Sequence, residues 1–265
     1  MEKSSFKLDK ERMKEKSNNL IGFNEVRKEL NDISKISFRS NDVNTNNEII
    51  FLDISGKVLL SGPPGTGKTS LCYDCMLKYP EASFYHVNLS SLMSEKLGKT
   101  PKLIHEFFEE IIKETKNYQT FLLLEEIEAF LPNRKESKDL EDMKRGLTVF
   151  MHYLDMNISN LMILCTTNYK SLLDAAIIRR FSFIYEMQKP SKEDYIEFFK
   201  NKDNPFHECF LDEIKTDELI DLLILKKMTF SDIKHIMRKI YISNNRIIAL
   251  EKINNEVSKW EENNE

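Results

Sequence analysis

From residue 56 to residue 187 the chain switches back and forth between two periods. Short apolar runs, KVLLS, SFYHVN, TFLLLEE, LMILCTTN and FSFIYEM, are separated by stretches of helical period that begin at Thr69 and Pro101 and lie around 139–155 and 171–179. Strands this apolar need cover on both sides, and the helices between them supply it. The pattern predicts an α/β domain built on a mostly parallel sheet. After Pro190 only helical patterns remain, SKEDYIEFFK, CFLDEIKTDELIDLLIL and TFSDIKHIMRKIYIS. Three segments are therefore expected: a charged arm at 1–18, solvated or forming a short exposed helix, a large α/β domain at 19–190 and a small all-helical domain at 191–265. Ahead of the first strand, Ser17 or Asn18 is expected to cap a helix carrying Leu20, Val26 and Leu30, and SNDVNTNNE at 40–48 reads as a loop.

The first strand-to-helix junction reads GPPGTGKTS, residues 62–70, and satisfies G-x-x-x-x-G-K-[ST] at every fixed position. Gly62, Gly65 and Gly67 let the backbone bend until successive N–H groups face one point, and the helix that follows adds the positive end of its dipole. Gly62, Pro63, Pro64, Gly65, Thr66, Gly67, Lys68, Thr69 and Ser70 thus form a candidate phosphate cradle, with Lys68 on the outer phosphates and the Thr69 hydroxyl on magnesium. A cradle binds a nucleoside triphosphate; hydrolysing one takes more. TFLLLEE ends in adjacent carboxylates, Glu125 and Glu126, at the sheet edge where ligands sit in open α/β folds. One suits the magnesium shell, the other the attacking water.

The totals exclude several classes. With 39 basic and 43 acidic residues the net charge is -4, so no overall basic surplus attracts a nucleic-acid backbone. The longest apolar runs, such as LMILC, fall far short of the roughly 18 residues of a membrane span. MEKSSFKLDKERMKEK lacks the apolar centre of a signal peptide, so a cytoplasmic location is expected. Four irregularly spaced cysteines make no disulfide framework, and Cys72 and Cys75, spaced C-x-x-C inside the helix after the cradle, read as packing residues.

Taken together, these residues resemble the AAA+ ATPases, in particular the AAA group of unfoldases, extractors and microtubule-severing enzymes. The resemblance runs from about Asn19 to the end of the chain. NLIGFNEVRKEL resembles the family's entry segment, GPPGTGKTS its Walker A loop, FLLLEEIEAF its Walker B strand and SSLMSEKLGKTPKLIHEFFEEI the segment holding its pore loop. CTTNYKSLLDAAIIRRF is similar to the sensor 1 strand and arginine-finger segment, and TFSDIKHIMRKI to the lid helix. The resemblance implies a P-loop NTPase sheet flanked by helices and followed by a helical lid, with ATP and Mg2+ as cofactors. It makes Glu126 the water-activating glutamate, Asn168 the γ-phosphate sensor, and Arg179 and Arg180 fingers acting on a neighbouring subunit. A homo-oligomer, most often a hexamer, is implied, because an arginine acting in trans contributes about 10³ to 10⁵ in rate. Two arginines at a helix C-terminus are also what the helix dipole alone favours.

Three positions depart from the family pattern. Glu125 stands where the family has aspartate, one methylene longer. Lys96, Leu97 and Gly98 replace an aromatic, an aliphatic and glycine in the pore loop, and lysine offers less apolar grip on a threaded polypeptide. Phe230 takes the place of a glycine in the lid turn. The sequence thus predicts an ATPase that remodels or assembles a protein partner, with hydrolysis slowed by Glu125. An ATP-gated switch or scaffold that hydrolyses little stays open, as does a loader on nucleic acid, which would need a basic stripe.

Overall fold

The computed structural model describes residues 7–17, 20–38, 43–93, 99–130, 137–202, 204–243 and 248–260. It divides into two compact units, residues 1–62 with 68–187, and residues 63–67 with 188–265.

In the first unit the apolar runs become β1 (Lys57–Ser61), β2 (Ser83–Asn88), β3 (Thr120–Glu125), β4 (Leu161–Thr167) and β5 (Phe183–Glu186), paired parallel in the order β2-β3-β4-β1-β5. Parallel neighbours need a crossover, and α4 (Lys68–Leu77), α5 (Lys99–Thr115), α6 (Ser137–Asp155) and α7 (Ala175–Ile178) lie in those connections. Side chains alternate across the sheet and fill two cores. Leu59, Leu122, Leu124 and Cys165 pack with Ile104, Phe108 and Ile111 of α5 and with Phe150 and Leu154 of α6. Val58, Leu60, Phe121 and Leu123 pack on the other side with Leu71, Cys72 and Met76 of α4. Each such buried side chain contributes roughly 1.5–3 kcal/mol. Cys72 and Cys75 are buried free thiols within this second core.

Three local expectations change. The helix expected from Ser17 or Asn18 is α2, which spans Asn24–Ser37. Its start is set by two left-handed residues, Gly22 (φ 75) and Phe23 (φ 58), which no helix can incorporate. Residues expected as a loop contain α3 (Val43–Phe51). That helix is followed by the left-handed Asp53, and Ile50 and Phe51 at its end are exposed. The expected arm contains α1 (Lys10–Ser17), whose Met13 is fully buried in the same core as α4 and α2. Just ahead of it, Lys7 forms an antiparallel bridge with Tyr85, and the Leu8 N–H donates to the Phe84 carbonyl at 2.9 Å, covering part of the β2 edge.

The second unit contains α8 (Lys192–Lys200), α9 (Glu213–Leu225), α10 (Phe230–Ser243) and α11 (Leu250–Ser258). Ser191 and Asp194 close a capping box at α8, Asp212 caps α9, and Thr229 and Asp232 bond reciprocally at the start of α10. Phe199, Phe210, Leu219, Leu223, Ile233, Ile240 and Ile253 are buried in this unit. Phe230 stacks on Phe198 with ring centroids 5.0 Å apart and meets Tyr195 edge-on at 5.6 Å, so the residue in the lid turn serves aromatic packing.

Because Met13 anchors α1, Met13→Ala is expected to lower the unfolding free energy by about 2–5 kcal/mol. Arg12→Ala, one residue away and exposed, should change it by less than about 0.5 kcal/mol. Urea titrations of the two variants check the difference; equal midpoints would show that α1 adds nothing to the core.

Candidate active site

Parallel pairing brings the C-terminal ends of β1, β3 and β4 to one edge of the sheet. Ser61 is level with Thr167, and Leu124 with Cys165, so the turn after β1, the carboxylates ending β3 and Asn168 after β4 stand at similar height. Gly62 (φ 143) leaves β1 where only glycine fits, since a Cβ there would lie 2.3 Å from the Met187 carbonyl oxygen. α4 then starts directly at Lys68, leaving its first N–H groups without helical partners.

Lys68 is buried, and its ammonium donates to the Gly62 carbonyl at 2.6 Å. Burial lowers its pKa to about 8, against the opposing pull of Glu128 and Glu125. Thr69 and Ser70, half-buried, follow in the first turn of α4. The remaining cradle residues, Pro63, Pro64, Gly65, Thr66 and Gly67, cluster with the second unit. There the Thr66 hydroxyl donates to the Pro63 carbonyl at 2.9 Å. Gly65 (φ 78) sits so close to the start of α10 that a Cβ would lie 2.6 Å from Thr229 Oγ1.

The two adjacent carboxylates have different surroundings. Glu125 Oε1 accepts from the Thr69 hydroxyl, and Oε2 bonds His86 Nε2 at 2.6 Å. Burial pushes the Glu125 pKa up, but hydrogen bonds from His86 and Thr69 outweigh it and hold the carboxyl below its usual range. An ionised carboxylate only accepts, so His86 Nε2–H donates to it. Tyr73, fully buried on α4, lies 3.0 Å from His86 Nδ1. Burial, with the Glu125 charge adding to it, pushes the Tyr73 phenol up to about 12, so its O–H donates to Nδ1. Glu126 is exposed and left-handed (φ 58), and its carboxylate accepts from the Asn88 amide at 2.7 Å. Glu128, one residue beyond Ile127, accepts from the Asn168 N–H at 3.0 Å, while its other oxygen is buried without a hydrogen bond among the described residues.

The arginines separate. Asp174 caps α7 through the Ala176 N–H, and Arg179 closes that helix. Arg180 grips Asp155 with Nε at 2.8 Å and Nη2 at 3.0 Å, and donates to the Ala176 carbonyl at 2.6 Å. Arg179 is exposed, and among the described residues its side chain has no hydrogen bond or ion pair. Lys96, Leu97 and Gly98 lie outside the described residues.

These groups fit magnesium and a nucleotide. Thr69 and Glu125 bring a hydroxyl and an ionised carboxylate together, an all-oxygen pair of the kind a small hard cation takes. Thr69 and Glu125 would hold the ion, which when bound would neutralise charge on phosphate oxygens. Sequence reasoning missed His86, Asn88, Tyr73 and Glu128. The only signal was polar residues at alternate positions late in β2, where SFYHVN puts His86 and Asn88 on one face.

A parallel sheet with a glycine loop leading from β1 into a helix, and acidic groups at the end of β3 two strands away, defines a P-loop nucleotide-binding protein. Residues 58–189 match the model of the ATPase family associated with various cellular activities (AAA), and the chain belongs to the AAA+ ATPases. It is 32% identical over 139 residues to pachytene checkpoint protein 2 homolog of Arabidopsis thaliana, covering 46% of this chain and 30% of that protein. It is 32% identical over 194 residues to fidgetin-like protein 1 of Caenorhabditis elegans, covering 69% of this chain and 31% of that protein. The chain thus spans about a third of the length of these two curated relatives. A chain of the solved E. coli MS115-1 HORMA:CdnC:Trip13 complex has the same fold, with TM-score 0.74 at 19% identity over 94% of this chain and 92% of that one.

The lowered pKa of Lys68 sets a pH dependence. Its usual value is 10.5 and here it is about 8, so the free site loses its ammonium as pH rises through 8. Bound phosphate favours the ammonium, so binding between about pH 8 and 10 takes up a proton, and affinity falls by up to about tenfold per pH unit. Titration calorimetry at pH 8.5 in buffers of different ionisation heat should show this uptake. It should vanish in Lys68→Met and at pH 6.5; uptake that persists in Lys68→Met assigns the proton to another group.

Proposed function

We propose that this chain hydrolyses ATP with Mg2+ and assembles into a ring, most simply a hexamer, that couples turnover to remodelling or assembly of a protein partner in the cytoplasm. The observation that carries the reading is the meeting of Thr69 with Glu125, beside Glu126 and Asn168 on the same sheet edge. Lys68, Thr69 and Ser70 hold phosphate and metal, with the cradle from Gly62 to Gly67 supplying backbone N–H groups. Glu126 takes the proton of the attacking water, and Asn168 reports the γ-phosphate. Arg179 acts on the nucleotide of the neighbouring copy, and Arg180 holds the finger segment through Asp155. The partner is a folded protein, in keeping with the HORMA and CdnC proteins in the solved complex that the fold matches.

A second reading, an ATP-gated scaffold with little hydrolysis, has one observation in its favour: the Glu126 carboxylate is held by Asn88. Mixing experiments separate the two. Glu126→Gln and Arg179→Ala are each expected to bind ATP while losing about 10³-fold or more in phosphate release. Mixed in equal amounts they should regain measurable turnover, because some interfaces then join an intact Glu126 to an intact Arg179 from the other variant. Wild-type protein with no turnover at any concentration where it oligomerises leaves the scaffold reading, and a silent mixture of the two variants removes the trans finger.

A further inference from the structure

Glu125 is longer than the aspartate of the family pattern, and its carboxylate meets a histidine of β2 that lies diagonally across the ladder, two residues before its register partner Asn88. His86 Nε2 lies 2.6 Å from Glu125 Oε2, and its Nδ1 lies 3.0 Å from the Tyr73 hydroxyl. Tyr73 is fully buried on α4, the helix that also carries Thr69, and the Lys16 ammonium of α1 lies 5.9 Å from the Tyr73 ring centroid. The Glu125 carboxylate is therefore bound at both oxygens, one by Thr69 and the other by a histidine that is itself bound from behind. A side chain one methylene longer has an extra rotatable bond, and two anchors remove that freedom.

Resting on the reading of Thr69 and Glu125 as the magnesium side of the site, we propose that His86, braced by Tyr73, is the positioning residue for Glu125, and that Glu125 and His86 act as one unit. The pair places a carboxylate oxygen against the Thr69 hydroxyl despite the longer side chain. An aspartate at 125 would draw back by up to about 1.5 Å, stretching the 2.6 Å contact with His86 beyond hydrogen-bond range. Restoring the family residue at 125 thus impairs the metal side while His86 is in place. A cross-strand pair that merely stabilises the β2–β3 edge is the competing account, and it predicts effects on folding without effects on metal dependence.

The experiment measures binding of a fluorescent ATP analogue with excess Mg2+ and again in EDTA, with Mn2+ titrated into the nucleotide complex by electron paramagnetic resonance. Orienting hydrogen bonds behind a metal ligand typically contribute about 10- to 100-fold in metal affinity. His86→Ala is expected to raise the half-saturating Mn2+ concentration about tenfold or more, with the affinity in EDTA changed less than about twofold. His86→Gln, which keeps a donor toward Glu125, should recover most of the loss. Glu125→Asp should weaken Mn2+ binding in the wild-type background and add little to His86→Ala, the non-additivity of a coupled pair. Unchanged Mn2+ binding in His86→Ala overturns the proposal, as does an equal loss in EDTA or a Glu125→Asp variant that binds Mn2+ more tightly. Wild-type protein whose nucleotide binding ignores Mg2+ would instead defeat the reading of the site itself.

Discussion

The backbone ladder that joins β3, β4 and β1 runs parallel through Leu124–Cys165 and Ser61–Thr167, and it decides where the polar groups at this edge stand. Glu125 at the end of β3 reaches Thr69, which opens the helix after β1, although β4 lies between β3 and β1, because all three strands end at one level. A one-residue slip in β3 would put Leu124 in place of Glu125 and turn each side chain to the opposite core. The slip is opposed by two apolar faces at once, since Leu122 and Leu124 fill one core while Phe121 and Leu123 fill the other. The precision of the site is therefore inherited from apolar packing several ångströms below it.

The charged groups on that frame are held unequally. Lys68 is buried and donates to the Gly62 carbonyl, and its burial loosens the hold on its proton. Glu128 is tied by one oxygen to the Asn168 N–H while the other oxygen has no donor among the described residues. A buried carboxylate oxygen without a donor costs stability.

Much of the sheet could be read from the sequence because fully buried parallel strands are nearly free of polar residues, and the cradle because its glycines, lysine and threonine are fixed by geometry. Other features had no such signature. The end of α3 leaves Ile50 and Phe51 exposed, and the burial of α1 rests on Met13 within a charged helix. His86 and Asn88 look like the polar end of any strand until β3 is laid beside them. Arg179 and Arg180 are alike in type and adjacent in sequence; only Asp155, far upstream, distinguishes them by holding one and leaving the other exposed.

The left-handed backbone at Glu126 follows from the same pleat. Glu125 continues the face that carries Phe121 and Leu123, and it meets His86, which shares a face of β2 with Asn88. Had β3 continued by one residue, Glu126 would fall on the opposite face with Leu122 and Leu124. Instead φ is 58 at Glu126, and its carboxylate meets Asn88, two residues beyond the His86 that holds Glu125. The reversal costs roughly 1–2 kcal/mol for a residue with a side chain, comparable to the roughly 1.5–3 kcal/mol of a hydrogen bond to a charged group. A regular strand would separate the two carboxylates by the thickness of the sheet; one residue outside the β region turns both toward β2. Strain at this position is thus the geometric condition for Glu125 and Glu126 to be neighbours in sequence and still both meet the same face of β2.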